Sequence, residues 1–353
     1  MTPLTISVVI PTYNGLTYLE PCLDALLPSL AADTEVLVVD NASTDGTQGR
    51  LATRFPHVTV LRQSENLGFA EGCNAGAARA RGTWILFLNN DTIPAPGFVE
   101  PLLARVQQDP KLGVCTSKIR VQSAPDHLDA IGSFLTRLGF LRHVGLLELD
   151  QGQHDHLQQI FSPKGVCFLI RRNLFHKLGG FDERYFAYFE ETDLFWRVWL
   201  HGWRIGFAPA SIVYHKIGGT SSTFAYAFID YHNFKNRIRT LLKNLALVNL
   251  CWLLPVHMLC CAGLSLLSMV KGRWGSGWAI VRAIAWNIRH LPETWGARRR
   301  AQRLRRVSDR ELFRYILWPV PLSDFARYTF WAVASREKMR AQVHAGQVHL
   351  TTK

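Results

Sequence analysis

At 353 residues with 48% apolar side chains, the chain has material for a sizeable core, and one large domain with an appendage, or two domains, is expected. A formal charge of +13 implies an anionic partner, which leaves nucleic acid, a phosphate-bearing substrate or an acidic membrane surface. Seven cysteines, odd in number and without a CxxC pair, argue against a disulfide framework and fit a reducing compartment.

The chain enters a strand at Leu4 with neither a basic n-region nor a long apolar h-region, so no signal peptide is expected and the catalytic part should face the cytoplasm. Up to residue 88, short apolar strands at 6–10, 35–39, 58–61 and 83–88 alternate with helices at 16–30, 47–55 and 68–81. Such alternation signals a parallel sheet covered on both faces. The small residues of the third helix allow it to pack closely on that sheet. Beyond Pro94 the pattern turns α+β. A helix at 98–108 and a strand at 113–119 precede an irregular, His-rich insert at 125–158. A strand at 165–170 and a short helix at 173–178 follow, closed by Gly179 and Gly180, and then a helix at 191–201 and strands at 204–207 and 212–214.

After residue 224 the composition changes. Residues 230–243 form a basic amphipathic helix, and 244–270 carry no charged side chain over a length sufficient to span a bilayer. Pro255 and the polar Asn244, Asn249 and His257 oppose a span. Trp274, Trp278, Trp286 and Trp295, interleaved with Arg273, Arg282 and Arg289, read as helices lying in a membrane interface. The arginine run from Arg298 to Arg306 raises nucleic acid as a partner, but the adjoining charge-free stretch points to a membrane instead. Residues 1–228 are therefore expected to be the catalytic domain and 229–353 a membrane-associating region, interfacial or with a single span.

The chemistry-bearing residues sit at strand ends. Asp91 follows an apolar strand, where open α/β sheets bind ligands. A single carboxylate there suits a divalent cation coordinated mostly by a nucleotide diphosphate, and equally an Asx-turn before Pro94. Asp40 ends the second strand, where it can accept from a base or ribose or cap a helix. Residues 11–14, Pro11, Thr12, Tyr13 and Asn14, shape a base pocket or end a strand. Glu190, Glu191 and Asp193 crowd the start of a helix. Like charges this close raise at least one pKa toward that of a general base, while a helix dipole favours acids in the same place. His215 is a candidate second metal ligand.

Six segments in order resemble family 2 glycosyltransferases of the GT-A fold, nearest the rhamnosyltransferase-like enzymes of bacterial cell-wall and O-antigen assembly: residues 7–14 (SVVIPTYN), 38–43 (VVDNAS), 66–70 (NLGFA), 87–92 (FLNNDT), 179–183 (GGFDE) and 189–194 (FEETDL). The resemblance covers residues 4–240. It implies a GT-A fold, a mixed and mostly parallel sheet flanked by helices, with a C-terminal helical membrane-associating region. It implies inverting transfer of a sugar from a dTDP- or UDP-linked donor to a polyprenyl-diphosphate-linked or glycan acceptor at the cytoplasmic face of the membrane. In such enzymes Asp40 would bind the base, with Asn66, Gly68, Asn90 and Gly165 lining the donor pocket. Asp91 and His215 would hold Mg2+ or Mn2+, and Glu191 would be the base, with Glu190 and Asp193 as substitutes. Asn89 stands where the family often has a first aspartate. The rival expectations are a catalytically silent GT-A-like scaffold or membrane-binding protein, a nucleotidyltransferase, for which no Gly-rich basic loop is seen, and a nucleic-acid module.

Overall fold

The computed structural model describes residues 5–218 and 225–318. Leu4 and residues 319–353 of the expected membrane-associating region lie outside the described residues. The first half follows the expected order: β1 (Ile6–Thr12), α1 (Leu16–Leu26), β2 (Thr34–Asp40), α2 (Thr47–Arg54), β3 (Thr59–Arg62), α3 (Gly68–Arg79) and β4 (Trp84–Leu88). A short 3-10 turn at Leu27–Ser29, entered at Pro28, ends the first helix earlier than its apolar pattern predicts.

Next come β5 (Thr92–Pro94), α4 (Val99–Gln108), β6 (Leu112–Val121), β7 (Ala124–Leu128), β8 (Gly132–Leu135), β9 (Leu141–Val144), β10 (Cys167–Arg171), α5 (Arg172–Lys177), α6 (Glu190–Leu200) and β11 (Arg204–His215). The insert read as irregular thus contains β7 and a separate β8–β9 hairpin. Segments such as Ala124–Leu128 (APDHL) and Leu141–Val144 (LRHV) show no period-2 alternation, so their pairing is set by tertiary contacts. The two strands expected at 204–207 and 212–214 are one, with an irregularity between Ala208 and Ile212.

The main sheet runs β3-β2-β1-β4-β10-β6-β11-β5, with β7 beside β6. Its β3-β2-β1-β4 half is parallel, β10 is antiparallel to both neighbours, and β11 is parallel to β6. This is the mixed, mostly parallel sheet flanked by helices that was expected. Strand alternation divides the core between two faces. Val9, Val39, Phe87 and Phe168 face α3 and α6, while Val8, Val38, Leu86 and Leu169 face α1 and α4. The close approach of α3 depends on Gly76, where an added Cβ would stand 2.4 Å from Val9 Cγ1.

Five helices complete the described chain: α7 (Tyr226–Asn244), α8 (Leu247–Val270), α9 (Trp274–Arg289), α10 (Leu291–Arg303) and α11 (Asp309–Ile316). The expected boundary at 228/229 falls inside α7. One hydrophobic cluster extends from Phe87 and Phe168 of the sheet through Trp196 and Trp199 of α6 to Ile238, Leu241 and Leu253 of α7 and α8. The C-terminal helices therefore share the core of the sheet domain.

Candidate active site

Parallel pairing brings the C-terminal ends of β1, β2 and β4 together, with Thr12 in register with Asp40. Asp40 is fully buried. Its Oδ1 accepts from Ser43 N at 2.9 Å and its Oδ2 from Arg62 Nη1 at 2.7 Å. The Arg62 side chain that pairs with it is 42% exposed. Asn14 donates its backbone N–H to Ser43 Oγ at 2.9 Å and accepts from Thr44 N at 2.7 Å, clipping the two strand ends together. Asn90 Nδ2 donates to Thr12 Oγ1 at 2.9 Å, and a Cβ on Gly15 would stand 2.2 Å from that nitrogen. Pro11 is buried and Tyr13 exposed. Asn66 Oδ1 accepts from Gly68 N at 3.0 Å, and at Gly68, with φ +81°, an added Cβ would stand only 2.6 Å from Phe186 O. Asn41 links this segment to β2 by donating to Gly68 O at 3.2 Å. The nucleotide-side candidates from Pro11 to Asn90 thus lie around the C-terminal ends of β1, β2 and β4.

Beside them β5 pairs antiparallel with the end of β11, placing His215 opposite Thr92. Asp91 Oδ1 is buried, accepts no hydrogen bond within the protein and lies 3.5 Å from His215 Nε2. The other ring nitrogen, Nδ1, is 2.7 Å from Oδ2 of Asp129, a fully buried residue just after β7. Asp129 also pairs with Lys164. Burial opposes its ionisation, but Lys164 and then His215 hold its carboxyl below the usual carboxylate range. Burial likewise works against the His215 cation, yet Asp91 and Asp129 push the imidazole up to about 9. An orphaned carboxylate oxygen facing an imidazole nitrogen, with the ring oriented by a second carboxylate, fits a Mg2+ or Mn2+ site completed by substrate oxygens. Among the described residues no group of three or more His, Cys, Asp or Glu side chains forms a metal cage. Asp129 and Lys164 were not singled out from sequence, because neither lies in a strand-end motif or an acidic cluster.

Glu190 and Glu191 open α6, and the Oε2 of each is buried with no hydrogen-bond partner in the protein. Burial, and then the adjacent Glu191 carboxylate, raises Glu190 well above the usual range. Burial also raises Glu191, while a hydrogen bond from Glu190 and the charge of Lys164 favour its ionised form. Glu190 is thus the more strongly raised of the two carboxyls. Residues 164–166 tie this pair to the Asp91 loop. A Cβ on Gly165 would meet Glu191 Cβ at 3.4 Å, and Val166 O accepts from Asn89 N at 2.9 Å.

Asp193 does not join them. It is fully buried, its Oδ2 is bound by Arg197 and Lys243 (2.9 Å to Lys243 Nζ), and its Oδ1 accepts from Asn244 Nδ2 at 2.9 Å. A carboxylate held by two cations is a poor proton acceptor, so the structure makes Asp193 a strut between α6 and α7 rather than a substitute base. Its i,i+4 spacing to Arg197 was a readable sign of this.

The C-terminal basic residues divide in the same way. Arg298 donates to Leu242 O and Leu245 O, and Gln302 to Lys243 O and Asn244 O, capping the end of α7. Arg299, Arg300 and Arg303 are exposed. On α8, Leu250, Leu253, His257, Cys261 and Leu264 face inward, and His257 Nδ1 pairs with Leu138 O at 2.8 Å. Trp252, Val256, Leu259, Leu266 and Val270 form an exposed stripe, continued by Trp274, Trp278 and Ile288 of α9. The α8 helix is long and apolar enough to cross a membrane.

A family model described as Glycosyl transferase family 2 matches residues 7–179, ending before α6. N-acetylglucosaminyl-diphospho-decaprenol L-rhamnosyltransferase of Mycobacterium tuberculosis is 28% identical over 251 residues, spanning 64% of this chain and 80% of the relative. Among solved structures, S. aureus TarS 1-349 in complex with UDP-GlcNAc aligns with a TM-score of 0.56 at 18% identity, over 85% of this chain and 89% of the other. GalNAc-T7 with UDP, GalNAc and Mn2+ aligns with a TM-score of 0.55 at 20% identity, over 68% and 48%. At these identities the two structures speak for the fold, which is GT-A.

Proposed function

We propose that this chain, a glycosyltransferase that matches the family 2 model over residues 7–179, is an inverting, metal-dependent transferase. In this reading it moves rhamnose or another hexose from a dTDP- or UDP-linked donor to a polyprenyl-diphosphate-linked or polysaccharide acceptor of the cell envelope. The mycobacterial relative, an L-rhamnosyltransferase of N-acetylglucosaminyl-diphospho-decaprenol, supports both the sugar and the lipid diphosphate. The observation that carries the reading is a set of buried carboxylate oxygens without a hydrogen-bond partner in the protein, Asp91 Oδ1 beside His215 and Oε2 of Glu190 and Glu191, linked through residues 164–166. Buried acceptors left unpaired are costly, and their clustering marks a place where a ligand supplies the partners.

In the proposed mechanism Asp40 and residues 11–14 hold the nucleoside, while Asn66, Gly68 and Asn90 shape the donor pocket. Asp91 and His215 would hold Mg2+ or Mn2+, which when bound supplies positive charge for the departing diphosphate. Asp129 keeps the imidazole turned toward Asp91. Glu191 takes the proton of an acceptor hydroxyl. That oxygen bonds to the anomeric carbon as the bond to the diphosphate breaks on the opposite face, inverting the centre. Glu190, holding its proton, donates to Glu191, and Gly165 keeps the space beside the base free of a side chain.

The exposed stripes of α8 and α9 support attachment of region 229–353 to the cytoplasmic face of the membrane. With one face of α8 packed on protein, the helix would lie in the interface. The reading is tested by thermal stabilisation of the protein by UDP, dTDP, GDP and CMP with Mn2+, Mg2+ or EDTA, alongside Asp91→Ala. A metal-dependent rise with UDP or dTDP, absent in the variant, is expected. No shift with any nucleotide under any metal condition would overturn it in favour of a silent scaffold.

A further inference from the structure

Two consecutive non-glycine residues, Tyr188 (φ 68°) and Phe189 (φ 69°), hold left-handed backbone directly before Glu190. Side chains of this type adopt such backbone only where surrounding structure enforces it. The enforcing element is α7. Asn236, fully buried, donates its amide to Ala187 O at 2.9 Å and to Tyr188 O at 2.6 Å. Lys235 Nζ donates to Arg184 O at 3.0 Å, and the Tyr185 and Thr240 hydroxyls pair at 2.8 Å. On its other side the loop is held to α3, with Phe186 O accepting from Phe69 N at 3.0 Å. Phe189 O then accepts from Asp193 N at 3.0 Å, so the loop's end is the first turn of α6 and carries Glu190 and Glu191.

We infer that Asn236 is a positioning residue for Glu191. Its two donated bonds fix the peptide planes that enter α6, and through them the direction in which the base points. The inference rests on the reading of Glu191 as the base. Truncating Asn236 takes both amide bonds from the Ala187 and Tyr188 carbonyls and frees the loop to leave its left-handed backbone. The amide reaches the reaction through the loop, so its loss acts on the chemical step, while the part of the donor site carried by the ends of β1, β2 and β4 stays intact.

The test compares Asn236→Ala, Asn236→Ser, Asn287→Ala and Glu191→Gln in the full chain. It reads nucleoside diphosphate release from dTDP- and UDP-linked hexoses against pH, and amide hydrogen exchange across residues 185–192. Asn287 is the matched control, because its buried amide bonds Lys235 O at 3.0 Å and Ala283 O at 2.9 Å. Asn236→Ala is expected to lower kcat at least ~10-fold at unchanged donor KM, move the acid limb of the pH profile and speed exchange at 185–192. Asn236→Ser, which retains one donor, recovers part of the loss. Asn287→Ala loses stability with none of these changes. Retained kcat and acid limb in Asn236→Ala, or the same changes in Asn287→Ala, would overturn the inference. Wild-type turnover in Glu191→Gln would instead overturn the reading of the base and the inference with it, a result independent of position 236.

Discussion

Asp129 Oδ2 lies 2.7 Å from His215 Nδ1, while the opposite ring nitrogen, Nε2, lies 3.5 Å from Asp91 Oδ1. The imidazole is thus oriented from behind by a carboxylate contributed by the insert between β6 and β10. Partners of this kind fix the tautomer and basicity of a ligating histidine.

Asp129→Asn is therefore expected to weaken Mn2+ binding about 10- to 100-fold. A Mn2+ titration of UDP-dependent thermal stabilisation measures it. Unchanged midpoints would remove Asp129 from any part in the metal site.

Glu191→Gln should lower kcat by about 10²- to 10⁴-fold, the usual worth of a general base, and leave metal-dependent nucleotide stabilisation in place. Steady-state rates set beside thermal shifts check both halves. Loss of both together would make Glu191 a folding residue instead.

Glu190 gives a pH dependence with a definite sign. Its carboxyl is raised in the folded protein, by burial first and then by Glu191. Relative to the unfolded chain, its contribution is favourable below the unfolded pKa of 4.5 and is lost progressively as pH rises toward the folded value. Glu190→Gln removes that loss, so it should raise Tm over wild type at pH 8 and barely at pH 5. A constant difference across this window would contradict the assignment.

Asp193→Ala leaves Arg197 and Lys243 short of a buried counter-charge, and should cost about 3–5 kcal/mol of stability. Urea unfolding reads this directly. A loss below about 1 kcal/mol with abolished turnover would return Asp193 to the catalytic group.

Trp252→Ser with Leu259→Ser, both on the exposed stripe of α8, should reduce binding to phosphatidylglycerol-containing vesicles and leave nucleotide stabilisation unchanged. Vesicle co-sedimentation at low and high salt measures it. Retained binding would move the contact to another face.

Much of this protein was readable along the chain because the deciding signals are local. Val8 and Val9 alternate between faces by the period of a strand, Gly76 marks the close approach of α3, and Asp40 and Asp91 announce themselves by following apolar strands. The insert was opaque for the opposite reason. Its strands carry Pro, Asp, Arg and His without alternation, and their pairing, like that of the three-residue β5 outside the insert, follows from neighbours distant in sequence.

The same division runs through the site. Sequence by itself determined the order of strands and helices as far as β4 and which acids stand at strand and helix ends, since backbone periodicity and strand termination are properties of short segments. Only the tertiary structure decided what each charge does. Asp129 and Lys164 joined His215, Asp193 turned inward to Lys243, and Arg298 capped α7 while Arg299 and Arg300 stayed in solvent. Those outcomes depend on which side chains lose water together, and burial of a charge is settled by its partners across the fold rather than by its neighbours in the chain.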